Sequence, residues 1–85
     1  MHDIIKLKYD KGGREMKRSE IEQLKQIYRE GLRIRLLKMD DSQAPPIGTQ
    51  GTVSGVDDIG SVMVEWDTGS RLKVLLDQDE IELIN

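Results

Sequence analysis

Two hydrophobic rhythms divide the chain. Between residues 19 and 30, Ile21, Leu24, Ile27 and Tyr28 recur at helical spacing and form one apolar stripe roughly 120° wide. Ser19 and Glu22 fit a Ser-x-x-Glu capping box, in which each side chain satisfies an orphan backbone N–H of the first turn. Gly31 stands where a left-handed residue closes a helix. A helix of about twelve residues is marginal alone in water, so this stripe needs a surface to cover it.

From Leu32 the period becomes two. Ile34 and Leu36 alternate with Arg33 and Arg35, as in a half-buried strand. Met39 to Pro46 is a long loop, with turn chemistry at Asp40-Asp41-Ser42 and Ala44 held extended by Pro45. Beyond Gly48, Gly51-Thr52-Val53 opens a second strand, and Gly55 marks a bulge or sharp bend. Asp57-Asp58-Ile59-Gly60 closes a hairpin, with Gly60 free to take positive φ. Val62, Val64 and Trp66 share one face of a third strand, and Asp67 to Ser70 turns back through Gly69. Leu72 and Val74 point inward on a fourth strand; Ile81 with Leu83, or with Ile84 after a bend, makes a fifth.

Five short strands with tight links and a long first loop describe a small closed barrel of the SH3-like type. Closure matters because it removes free sheet edges. The expected fold is mainly β with one N-terminal helix (α+β). It divides into an arm at residues 1–18, the helix at 19–30 and a five-stranded barrel at 32–85. Within the arm, Ile5, Leu7 and Tyr9 alternate with charged residues over 3–9, a short strand signal that Gly12-Gly13 breaks. That strand has no neighbour in its own stretch, so it adds to the barrel edge, pairs with a second copy, or stays unpaired.

Composition narrows the chemistry. At 85 residues there is room for one domain, near the lower limit at which a single core outweighs chain entropy. With no Phe, the core must be Ile, Leu and Val around Trp66. The absence of Cys removes disulfides, thiolate metal sites and a cysteine nucleophile. No apolar run is long enough to cross a bilayer, and no apolar leader opens the chain, so a cytoplasmic protein is expected.

Charge is uneven. Residues 1–38 carry 11 Lys or Arg against 6 Asp or Glu, whereas residues 39–85 carry 2 against 10. A basic arm and helix folding onto an acidic barrel is the simplest consequence. The other is a nucleic-acid surface on the basic half. Arg18, Lys25 and Arg29 lie within about 40° of one another on a helix, and Arg33, Arg35 and Lys38 extend the set onto the first strand. Against that surface stand the acidic barrel, with only Arg71 and Lys73, and the lack of exposed aromatic platforms for bases.

Other chemistries find less. His2 is the sole histidine and lies near the terminus, so none of the serines has a base, and no enzymatic role is expected. The Asp pairs at 40–41 and 57–58, with Asp67, Asp77 and Asp79, sit where turns want side chains that bond their own backbone. They lack the spacing of a calcium loop, and no metal or cofactor is expected. Gly48, Gly51 and Gly55 lead into strands rather than a helix N-terminus, which argues for backbone geometry over a phosphate cradle. Three aromatics make a polyproline groove a poor fit, leaving no membrane and no small-molecule substrate to infer.

The run Gly48-x-x-Gly51-x-Val53-x-Gly55-Val56 is similar to the KOW motif of transcription elongation factors and ribosomal proteins. The longer pattern more closely resembles a bacterial and phage family known only as a domain of unknown function. It runs from Arg33-Ile34 through Ala44-Pro45-Pro46-Ile47-Gly48-Thr49 and Asp57-Asp58-Ile59-Gly60 to Trp66-Asp67-x-Gly69-Ser70. This resemblance spans about residues 32–84 and implies a small barrel without an established activity. The expected function is a non-catalytic protein-interaction or assembly module, with self-association through residues 3–9 as one route. Binding of RNA or DNA through the basic helix and first strand is the alternative.

Overall fold

The computed structural model describes residues 17–84, which form one helix and four strands. Helix α1 spans Arg18–Ile27, followed by β1 at Arg33–Lys38, β2 at Gln50–Val56, β3 at Val62–Trp66 and β4 at Glu80–Leu83. The strands make one antiparallel sheet in the order β3-β2-β1-β4. The proposed strand at residues 3–9 lies outside the described residues.

Alternation in the strands builds the core. Ile34 and Leu36 of β1, Val53 and Val56 of β2, and Val62, Val64 and Trp66 of β3 are all buried in one cluster. Helix α1 packs against β2 and adds Ile21 and Leu24 to that cluster. Leu24 and Val53 have no exposed surface, and burial of such side chains stabilises by about 1.5–3 kcal/mol each. Two irregularities bend the sheet: a register shift between Val53 and Gly55 on β2, and another between Leu36 and Lys38 on β1. Both raise local twist and curl the strands over the helix.

The sheet is nonetheless open. Four strands form rather than five, and the expected barrel does not close. The segment read as the fourth strand reaches β3 through a single bridge, Val62 with Val74. Its backbone is satisfied in other ways. The Trp66 indole N–H donates to the Leu72 carbonyl at 2.9 Å, the Leu72 N–H donates to the Ser70 hydroxyl at 3.2 Å, and the Leu75 N–H donates to the Asp79 carboxylate at 2.7 Å. Only Val74 keeps both its N–H and its C=O for Val62, at 2.9 and 3.0 Å. Inward-pointing side chains persist without a ladder beneath them.

The helix boundaries also differ from the sequence reading. Lys17, not Ser19, is the residue before the helix, in extended conformation at φ −72°, ψ 153°. Its carbonyl accepts the Glu20 and Ile21 N–H groups, and the Glu20 carboxylate accepts the Lys17 N–H at 2.8 Å. The reciprocal acid is therefore Glu20, because starting one turn-fraction earlier buries Glu20 and Ile21 against the core. At the other end the helix stops at Ile27, which is 41% exposed, while Tyr28 packs on the core from the C-cap position. Gly31 takes φ +92° beyond the helix rather than capping it, and its N–H donates to the Val53 carbonyl at 2.8 Å. It turns the chain onto β2 before β1 begins.

Candidate functional site

Three surfaces carry side chains with chemical potential. On the face of the sheet away from the core, Arg33 of β1 reaches across β2 to the turn that follows β3. Its guanidinium makes a two-pronged bond to the Asp67 carboxylate, at 2.9 and 2.8 Å, and also reaches Thr52 at 3.0 Å and Gln50 at 3.2 Å. The hydrogen bond to Asp67 raises the Arg33 pKa and lowers that of Asp67. Arg35, two residues on, pairs with Glu82 of β4 at 2.7 Å. Arginine's planar fork suits such paired geometry, which ties β1 to a neighbour on each side.

The remaining cations lie elsewhere. Arg18 and Lys25 flank a shallow cleft of about 270 Å³ with Ile21, Glu22 and Asp58, and the Lys25 ammonium is 3.8 Å from the Glu22 carboxylate. Arg29 is exposed beyond the helix, and Lys38 is exposed at the end of β1, opposite Glu80 in register. The six basic residues singled out in the sequence therefore do not make one surface. Two are engaged by acids on the outer sheet face, and two share their cleft with acids.

The aspartates serve turns and pairs. Asp57 accepts the Ile59 and Ser61 N–H groups at 3.1 and 2.8 Å and the Lys73 ammonium at 2.8 Å. Burial pushes its carboxyl up, but Lys73 and the two amides outweigh this and leave it below the ordinary range. Asp41 accepts the Gln43 N–H at 2.7 Å. Among the described residues, no group of three or more His, Cys, Asp or Glu is placed to hold a metal ion. The Ser61 hydroxyl is buried without a hydrogen-bond partner among the described residues.

The third surface is apolar and was missed by the alternation argument. Leu36 donates its N–H to the Thr49 carbonyl and accepts from the Gly48 N–H, both at 2.8 Å. These bonds clamp the base of the long loop and bring Leu37 and Ile47, which flank them, to the same end of the sheet. Leu37 is 42% and Ile47 61% exposed. A signal was present: two consecutive leucines on a strand of period two must put one on each face.

A family model for a domain of unknown function (DUF4314) matches residues 17–84. The chain belongs to this family. The match covers α1 and all four strands, so the helix is part of the family's unit and not an appendage to it. No match is found among curated proteins. Among the described residues of this DUF4314 domain, no helix is long and apolar enough to cross a membrane.

Proposed function

We propose that this DUF4314 domain is a non-catalytic interaction or assembly module of the cytoplasm, related in shape to SH3-like folds. The reading rests on Leu37 and Ile47, two large apolar side chains held exposed at one end of a hydrogen-bonded sheet. Isolated exposed apolar residues are ordinary; two that flank the Leu36 hydrogen bonds to Gly48 and Thr49 offer a contact with little further ordering cost. A second copy of the chain is the first partner to test, with the alternating residues 3–9 as the contact segment.

Sedimentation over a range of protein concentrations provides the test. The full chain should show a concentration-dependent rise in mass, reduced both by Leu37→Lys with Ile47→Lys and by deletion of residues 1–13. A single monomeric mass at every concentration would remove the self-association reading.

Nucleic-acid binding through Arg18, Lys25, Arg29 and Lys38 is the second reading, supported by the KOW-like glycine pattern. Engagement of Arg33 and Arg35 by Asp67 and Glu82 weakens it, since those cations would have to leave existing partners to meet phosphates. Salt-sensitive binding of mixed oligonucleotides, lost on changing Arg18, Lys25 and Arg29 to Ala, would favour it over the first.

A further inference from the structure

The segment that fails to become a strand leaves a groove beside it. Between the start of the long loop and residues 71–79 lies a depression of about 360 Å³, at the small end of the range for ligand sites. Its floor is apolar: Met39 is buried, and Leu72 and Leu75 are half-buried. Its rim carries Asp40, Asp41 and Asp79.

Charge around this groove is unbalanced. The Asp41 and Asp79 carboxylates accept backbone N–H groups, from Gln43 and Leu75, and form no ion pair among the described residues. Asp40 makes no ion pair among the described residues. Of the two cations on the opposite rim, Lys73 is already bound to Asp57 at 2.8 Å, which leaves Arg71 as the counterweight among the described residues. An apolar floor whose rim, among the described residues, carries more carboxylates than cations selects an occupant with both an apolar and a cationic part.

We propose that this groove binds an extended peptide in which an apolar side chain is flanked by lysine or arginine. The apolar side chain rests on Met39, Leu72 and Leu75, and the cation meets Asp40 and Asp41. The backbone on both sides is held independently of any ligand: the Leu36 bonds to Gly48 and Thr49 hold the loop, and the Trp66 indole holds Leu72. The site is thus preformed, which lowers the entropy cost of binding a short segment. This proposal rests on the interaction reading above but uses a different surface from Leu37 and Ile47, so the two can fail separately.

The test uses the full ¹⁵N-labelled chain and two synthetic peptides, acetyl-Gly-Lys-Leu-Lys-Leu-Lys-Gly-amide and its counterpart with Glu in place of each Lys. The basic peptide should give saturable amide shifts centred on Met39, Asp40, Asp41, Leu75 and Gln78, and the acidic peptide should not. Asp40→Asn with Asp41→Asn should weaken the basic peptide by about three- to ten-fold, as expected for loss of two exposed ion pairs. Asparagine keeps an oxygen for the Gln43 N–H, and the same spectra show whether the variant is folded. Equal binding of both peptides, shifts centred on α1 or on Leu37 and Ile47, or no saturable shifts would each overturn the proposal. If Leu37→Lys with Ile47→Lys abolishes self-association while peptide shifts persist, the groove stands apart from the assembly surface.

Discussion

Gly51 pairs with Trp66 across β2 and β3, and the indole lies where a Gly51 side chain would stand. A Cβ at position 51 would come within 2.8 Å of Val64 Cγ1, 2.9 Å of Trp66 Cε3 and 3.0 Å of the Glu65 carbonyl oxygen. The missing side chain leaves room for the ring, whose indole N–H donates to the Leu72 carbonyl. Gly51→Ala should therefore overpack the core and destabilise the fold by about 1–3 kcal/mol. A urea transition followed by tryptophan fluorescence reads this directly; an unchanged midpoint would show that the ring has room to move.

Trp66 links the sheet to the crossing segment through one N–H. Trp66→Phe removes that donor and leaves the Leu72 carbonyl unsatisfied, at a cost of about 1–3 kcal/mol. The loss should be felt locally as well. Exchange of the Val74 amide, bonded to Val62, should accelerate more than exchange of the Val53 amide, bonded to Leu32. Equal acceleration at both sites would mean that the indole bond serves the whole fold and not the segment alone.

Much of the architecture could be read before any coordinates, and the failures share one cause. Alternation at Ile34 and Leu36, and at Val62, Val64 and Trp66, reports which face is buried, and those positions are indeed the core. Alternation cannot report where backbone hydrogen bonds go. Leu72 and Val74 carry the right side-chain pattern, yet the Trp66 indole, the Ser70 hydroxyl and the Asp79 carboxylate divert the neighbouring backbone groups from a ladder. The same blindness misplaced the helix start, because Lys17-x-x-Glu20 and Ser19-x-x-Glu22 are two residues apart and burial chose between them. The groove was illegible for a related reason: it exists only because the fourth strand does not.

Asp57 couples the β2–β3 turn to Lys73, and its depressed pKa has a definite sign. A carboxyl with a folded value below its unfolded one stabilises the fold above the unfolded value, and that contribution fades as pH falls through it. Stability should drop as pH passes below the ordinary value of 3.8 toward the lower folded one. Asp57→Asn keeps an oxygen for the turn but loses the pair with Lys73. The variant should be less stable than the parent at neutral pH, with the gap narrowing in acid. A gap that is constant across pH would show that the turn bonds, not the charge, carry the effect.

The Arg33–Asp67 pair makes a sharper claim about titration than about stability, since both groups face solvent. In a carbon-detected NMR titration the Asp67 carboxyl should have its midpoint below 3.8. Arg33→Gln should return it toward that value, because the first cause of its depression is the guanidinium bond. An Asp67 midpoint unmoved by the substitution would place the pair apart in solution.

One feature governs how this domain is liable to fail. The crossing segment is fastened to the outer strand by the Val62–Val74 clasp, the Trp66 indole bond to Leu72 and the Ser70 turn. If the clasp springs open while the other three strands hold, the rim of β3 becomes a bare template that another chain can extend. Warming should then produce strand-added aggregates at temperatures where most of the molecule is still native.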